Sequence, residues 1–196
     1  MKNLKLSKWL AIGLFSFLIQ PTAFSQNFKL NLSAGLNFSQ VNGDKLAGFN
    51  KIGLHAGAGI SRYLKNNQSI GFELIYSEKG SKDVVSNADP IVDTLFKFNY
   101  IEIPIIYQYQ LKPKLNLQLG AYTAVNIKAV YNDGLEDYDV SNQIYNLDYG
   151  LLAGLSYELG PKSKFQSRVS TSIIDFNNTF ERYYNLVISM GICYSL

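Results

Sequence analysis

At 196 residues the chain suits one domain and is too short for two ordinary ones. Charged residues make up 17% and aromatics 14%, with fourteen tyrosines and twelve phenylalanines, a balance unlike that of a typical water-soluble surface. The formal charge of +3 comes from Lys2, Lys5 and Lys8; beyond residue 25 fifteen bases meet fifteen acids, so no charge argument supports a nucleic-acid partner. The lone Cys193 excludes a disulfide within the chain and a lipidated cysteine near the N-terminus.

The N-terminal lysines are followed by an apolar run from Trp9 to Ile19 and by Ala23-Phe24-Ser25, a small-x-small pattern. This order predicts a cleavable signal peptide over 1–25, cut after Ser25, and a domain over 26–196. The apolar run, about eleven residues, is shorter than the roughly twenty that a membrane helix needs, and no later run reaches it.

From Phe28 the pattern has period two. Phe28, Leu30, Leu32, Ala34, Leu36 and Phe38 alternate with Lys29, Asn31, Ser33, Gly35 and Asn37, which predicts a strand. The alternation returns over Ile52–Ser61, Ile70–Ser77, Tyr100–Tyr109, Leu115–Ile127 and Tyr145–Glu158, more weakly over Phe165–Ile173, and finally over Tyr184–Leu196. These are about eight strands, and the longest match the nine to eleven tilted residues that cross a bilayer. Only Leu152 breaks the alternation of the sixth.

The connections alternate too. Those near 65–68, 111–114 and 160–164 are tight and carry Lys65, Lys112, Lys114, Lys162 and Lys164 without an acid. Those near 39–51, 79–96 and 129–144 are long and carry Asp44, Asp83, Asp89, Asp93, Asp133, Glu136, Asp137 and Asp139. Short turns on one side and long loops on the other are the habit of outer-membrane barrels, so the acidic loops are expected outside the cell.

Period two does not say which face is wet, but the residue types do. The polar faces are mostly Gly, Ser, Asn and Gln rather than the Lys, Glu and Arg of a soluble exterior. Phe28, Tyr107, Tyr109, Tyr157, Phe165 and Tyr194 near the tight turns, and Phe38, Tyr76, Tyr145 and Tyr184 near the loops, form two aromatic girdles around an aliphatic band. Backbone groups in hydrocarbon must all be paired within the protein, so the last strand must close on the first. The expected fold is all-β: a closed up-and-down antiparallel transmembrane β-barrel of about eight strands, in the outer membrane.

Ala34-Gly35-Leu36-Asn37-Phe38, Gly53-Leu54-His55-Ala56-Gly57, the segment Glu73 to Gly80 and Tyr100-Ile101-Glu102-Ile103-Pro104 resemble the PorT-like outer-membrane β-barrel family of Bacteroidetes-type bacteria over essentially the whole chain beyond the signal. The resemblance implies an outer-membrane location, insertion by the barrel-assembly machinery, and, for the founding member, a role in the secretion apparatus of gliding bacteria and their relatives. The chain departs from it by ending Tyr194-Ser195-Leu196, where barrels commonly finish in Phe.

Glu73, Glu102, Glu158 and Arg168 fall on lumen faces, where a lone charge is costly, so an internal network of these four is expected to plug the barrel and hold its register. Eight strands leave an interior just wide enough for side chains, so no open pore is expected. His55, the only histidine, points inward; with Ser33, Ser61 or Ser77 it is the one conceivable hydrolytic pair, but no orienting acid or oxyanion site accompanies it. Asp133, Glu136, Asp137 and Asp139 lack the EF-hand spacing and read as a solvated loop, and neither Asp44-Lys45 nor Gly80-Ser81-Lys82 has the pattern of a phosphate cradle. No catalytic residue, cofactor or metal is therefore expected.

The leading expectation is a non-enzymatic outer-membrane protein, an accessory of secretion or envelope maintenance acting through its external loops. Its partners would be outer-membrane lipids, the barrel-assembly machinery during insertion, and envelope or secretion proteins. The alternatives are a soluble periplasmic lipocalin-like carrier and a lipid-modifying outer-membrane enzyme.

Overall fold

In the computed structural model, which describes residues 28–44, 48–82, 94–176 and 182–196, every period-two segment forms a strand over most of its length. They are β1 (Phe28–Asn42), β2 (Lys51–Tyr63), β3 (Gln68–Lys82), β4 (Leu95–Lys112), β5 (Leu115–Asn132), β6 (Asp137–Asp139), β7 (Leu147–Glu158), β8 (Ser163–Ser172) and β9 (Tyr184–Ser195). The signal peptide expected over 1–25 lies outside the described residues.

Each strand pairs antiparallel with its neighbours in the order β4-β3-β2-β1-β9-β8-β7-β5, and β4 pairs with β5 to close the ring. β6 adds three residues to the outer end of β5 and takes no part in closure, so the barrel has eight strands. The expected junction of first and last strands is present: β1 and β9 pair from Asn31↔Ser195 to Asn42↔Tyr184. Among the described residues the eight-strand ring has no open edge, as hydrocarbon requires.

Burial alternates with the sequence pattern. Leu54 is 59% exposed, Ile105 55%, Leu151 52% and Leu119 46%, while Asn37 and Gln118 behind the same walls are at 1% and 0%. A polar inside and an apolar outside reverse the order of a soluble barrel, which removes the lipocalin-like reading. Exposed apolar area on this scale marks a membrane-facing surface. Leu151→Arg, in the middle of β7, is therefore expected to cost about 2–4 kcal/mol of folding free energy in lipid vesicles, measured by urea titration; an effect below about 0.5 kcal/mol would argue against hydrocarbon there.

Several strand ends differ from the sequence reading. β3, β4 and β5 run on to Lys82, from Leu95 and to Asn132, because their pairing continues beyond the alternating segments. Tyr145 lies outside β7; its N–H donates to the Phe176 carbonyl at 2.7 Å, tying two outer loops together. The β4–β5 register skips Ile127, passing from Tyr100↔Asn126 to Asn99↔Lys128. This bulge restores inward orientation at Ala129, and it marks where the simple alternation of β5 ends. On the tight side, Asn66 and Asn67 take φ of 62° and 61°, a conformation that asparagine tolerates better than most residues.

Candidate functional site

The lumen is filled in layers, and the first is an ion pair that crosses it. Arg168 on β8 donates from Nη1 and Nη2 to Glu73 Oε2 and Oε1 on β3, at 2.7 and 2.9 Å, and from Nε to Gln118 Oε1 on β5 at 2.9 Å. In the ring order β3 and β8 stand four strands apart, on opposite walls. The fork geometry of guanidinium on carboxylate gives both charge and direction to this strap.

Outward of it lies a cavity of about 40 Å³, bordered by Asn37, His55, Ser77 and Ser189, with room for one or two waters. His55 Nδ1 is 2.9 Å from Asn37 Oδ1, which also accepts from Ser189 Oγ at 2.8 Å, and Asn37 Nδ2 donates to Ser77 Oγ at 2.9 Å. His55 is thus oriented by an amide, not a carboxylate. Among the described residues no serine is hydrogen-bonded to it, and Ser61 instead accepts from Asn31 at 2.9 Å. Gly35 and Gly191 face each other across the β1–β9 seam, and a Cβ on Gly35 would fall 2.7 Å from the His55 ring, so glycine makes the histidine's seat.

The next layer is a second charged cluster. Lys79 Nζ lies 2.6 Å from Glu102 and 3.9 Å from Asp148, with the side chains of Lys79 and Asp148 at 1% and 0% exposure. Its ammonium also sits 4.5 Å from the Tyr122 ring centroid and 5.3 Å from that of Tyr100. Asn185 on β9 donates to Asp148 Oδ2 at 3.0 Å. Above this, Val41, Phe98, Tyr100, Tyr122, Ala124, Ala129, Ile144 and Phe176 form an apolar plug at the loop end. Phe176 and Ile144 come from the outer loops and fold inward, and the rings of Phe98 and Phe176 meet edge to face at 5.5 Å.

Of the four predicted lumen charges, Glu73 and Arg168 meet directly and Glu102 belongs to the second cluster. Glu158 joins neither: it sits at the tight-turn end, beside an open polar chamber. The residues that sequence reasoning missed are Lys79 and Asp148. Asp148 was on a recognised inward face, and Lys79 keeps the parity of Glu73 and Ser77, two steps beyond where the third strand was ended.

Two of the four carboxylates of the acidic outer loop bond to the loop's own backbone. Asp133 accepts from the N–H groups of Leu135 and Glu136, both at 2.9 Å, and Asp139 accepts from Ser141 N–H at 2.9 Å. The Glu136 and Leu135 amides hold the Asp133 carboxyl below the usual range. Among the described residues no three His, Cys, Asp or Glu side chains are grouped to hold a metal.

Residues 24–178 match the outer membrane protein beta-barrel domain. The chain belongs to that family. It is an outer-membrane barrel, and solved structures of similar shape agree with this fold. Neisserial surface protein A, from Neisseria, is 18% identical with a TM-score of 0.60, the match covering 85% of this chain and 97% of that one. Ail, the attachment invasion locus protein of Yersinia pestis, is 17% identical with a TM-score of 0.52, covering 87% of this chain and 100% of that one. No curated protein matches the chain.

Proposed function

We propose that this barrel is a sealed, non-enzymatic scaffold that serves secretion or envelope maintenance through its external loops. The observation carrying the reading is the filling of the lumen: among the described residues two ion-paired layers and an apolar plug leave a small cavity of about 40 Å³, which suits neither transport nor catalysis. The loops are then the part free to engage a partner. The resemblance to the PorT-like family, carried by Tyr100-Ile101-Glu102-Ile103-Pro104 and its companions, supports a secretion-linked role.

The test is crosslinking in intact outer membranes, comparing the wild type with a variant in which Asp133, Glu136, Asp137 and Asp139 are all changed to Asn. The wild type is expected to trap an envelope protein that the variant loses, and purified barrel is expected to give no steady conductance in planar bilayers. Capture unchanged by the loop variant, or a stable open channel, would sink the reading.

A further inference from the structure

The turn end of the barrel holds a feature that neither the loops nor the sealed lumen explains. Inside the ring of tight turns, facing the periplasm, is a polar chamber of about 500 Å³, within the range of small-ligand sites and far larger than one ion needs. Lys29, Lys162 and Lys164 line it. Rings at the wall support two of these side chains: Lys29 Nζ is 4.9 Å from the Tyr63 centroid and Lys162 Nζ 5.9 Å from that of Tyr194. Among the described residues none of the three has an ion-pair partner, and Glu158 is the only acid in the lining.

Most of the rest of the lining is amide and hydroxyl, with Leu64 and Pro161 the aliphatic exceptions. Gln108, only 8% exposed, turns toward the chamber, and its side-chain amide has no hydrogen-bond partner among the described residues. The same holds for Asn66, Asn67 and Asn116. Such a lining offers mainly donors and acceptors to a hydrophilic ligand, and Leu64, Pro161 and the Tyr63 ring make too small an apolar wall for an acyl chain, so a phospholipid fits it poorly. Lys65, Lys112 and Lys114 on the surrounding turns extend the positive field across the mouth. That arrangement suits a repeating polyanion presenting one carboxylate-bearing unit at a time.

We infer that this chamber binds the carboxylate-bearing stem peptides of peptidoglycan, so that the barrel is held to the cell wall from its periplasmic side. The lysines would take the carboxylates by charge-assisted hydrogen bonds, and the amides would pair with peptide and sugar groups. This inference is independent of the external-loop reading.

The experiment is co-sedimentation of the mature barrel, in nanodiscs of zwitterionic phospholipid, with purified peptidoglycan sacculi. The soluble disaccharide–tetrapeptide released from sacculi is the competitor. Two variants are compared: a chamber triple, Lys29→Gln/Lys162→Gln/Lys164→Gln, and a rim triple, Lys65→Gln/Lys112→Gln/Lys114→Gln, each checked for folding by heat-modifiable gel mobility. The wild type is expected to sediment with sacculi and to be released by the competitor. The chamber triple should bind at least about ten-fold more weakly, and the rim triple within about threefold of wild type. Equal losses in both triples would reduce the effect to general surface charge and overturn the inference. So would failure to sediment, failure of the competitor, or stronger binding to phosphatidylglycerol vesicles than to sacculi.

Discussion

Arg168→Met is expected to lower the unfolding free energy of the barrel by about 3–5 kcal/mol, the cost of stranding a buried carboxylate. The guanidinium is the only cation within ion-pair distance of Glu73 among the described residues, and the two side chains are 11% and 12% exposed. Removing it also strips Gln118 Oε1 of its donor. Urea titration of the refolded barrel in vesicles reads the loss. The double variant Glu73→Leu/Arg168→Met should recover most of it, because a matched apolar pair leaves no charge uncompensated. If the single variant were as stable as wild type, the strap would be dispensable, and the sealing of the lumen would rest on the apolar plug alone.

Lys79→Met should have a similar effect, about 3–5 kcal/mol, for a different reason. One ammonium serves two carboxylates, Glu102 and Asp148, and faces two tyrosine rings, so its loss leaves two buried acids side by side. Adding Asp148→Asn and Glu102→Gln should restore part of the stability, since neutral amides keep the hydrogen-bonding shape without the charge. Recovery by Asp148→Asn alone would assign the larger burden to Asp148, whose side chain is fully buried. A Lys79→Met barrel with wild-type stability and no response to either rescue would overturn the account of this layer.

On β8, Arg168 meets a glutamate ninety-five residues earlier, and nothing near either residue announces it. Each residue's face was legible, because a side chain's side of the wall depends only on local parity. From that parity and the kinds of residue on each face came the strand count, the membrane exterior, the polar interior and the closure of first strand on last. Lys79 was out of reach only because the third strand was stopped at Ser77, where its apolar partners give out, although its pairing continues to Lys82.

Alternation along a strand therefore determined by itself that this chain is a membrane barrel and, within the strands it reached, which side chains turn inward. Tertiary structure alone decided who meets whom there: Glu73 with Arg168, Lys79 with Glu102 and Asp148, Glu158 left at the tight-turn mouth, and Phe176 and Ile144 folded in from the loops. The reason is geometric. The height of a residue in the lumen follows from strand tilt and stagger summed around the closed ring, including the bulge at Ile127, and no local window of sequence carries that sum.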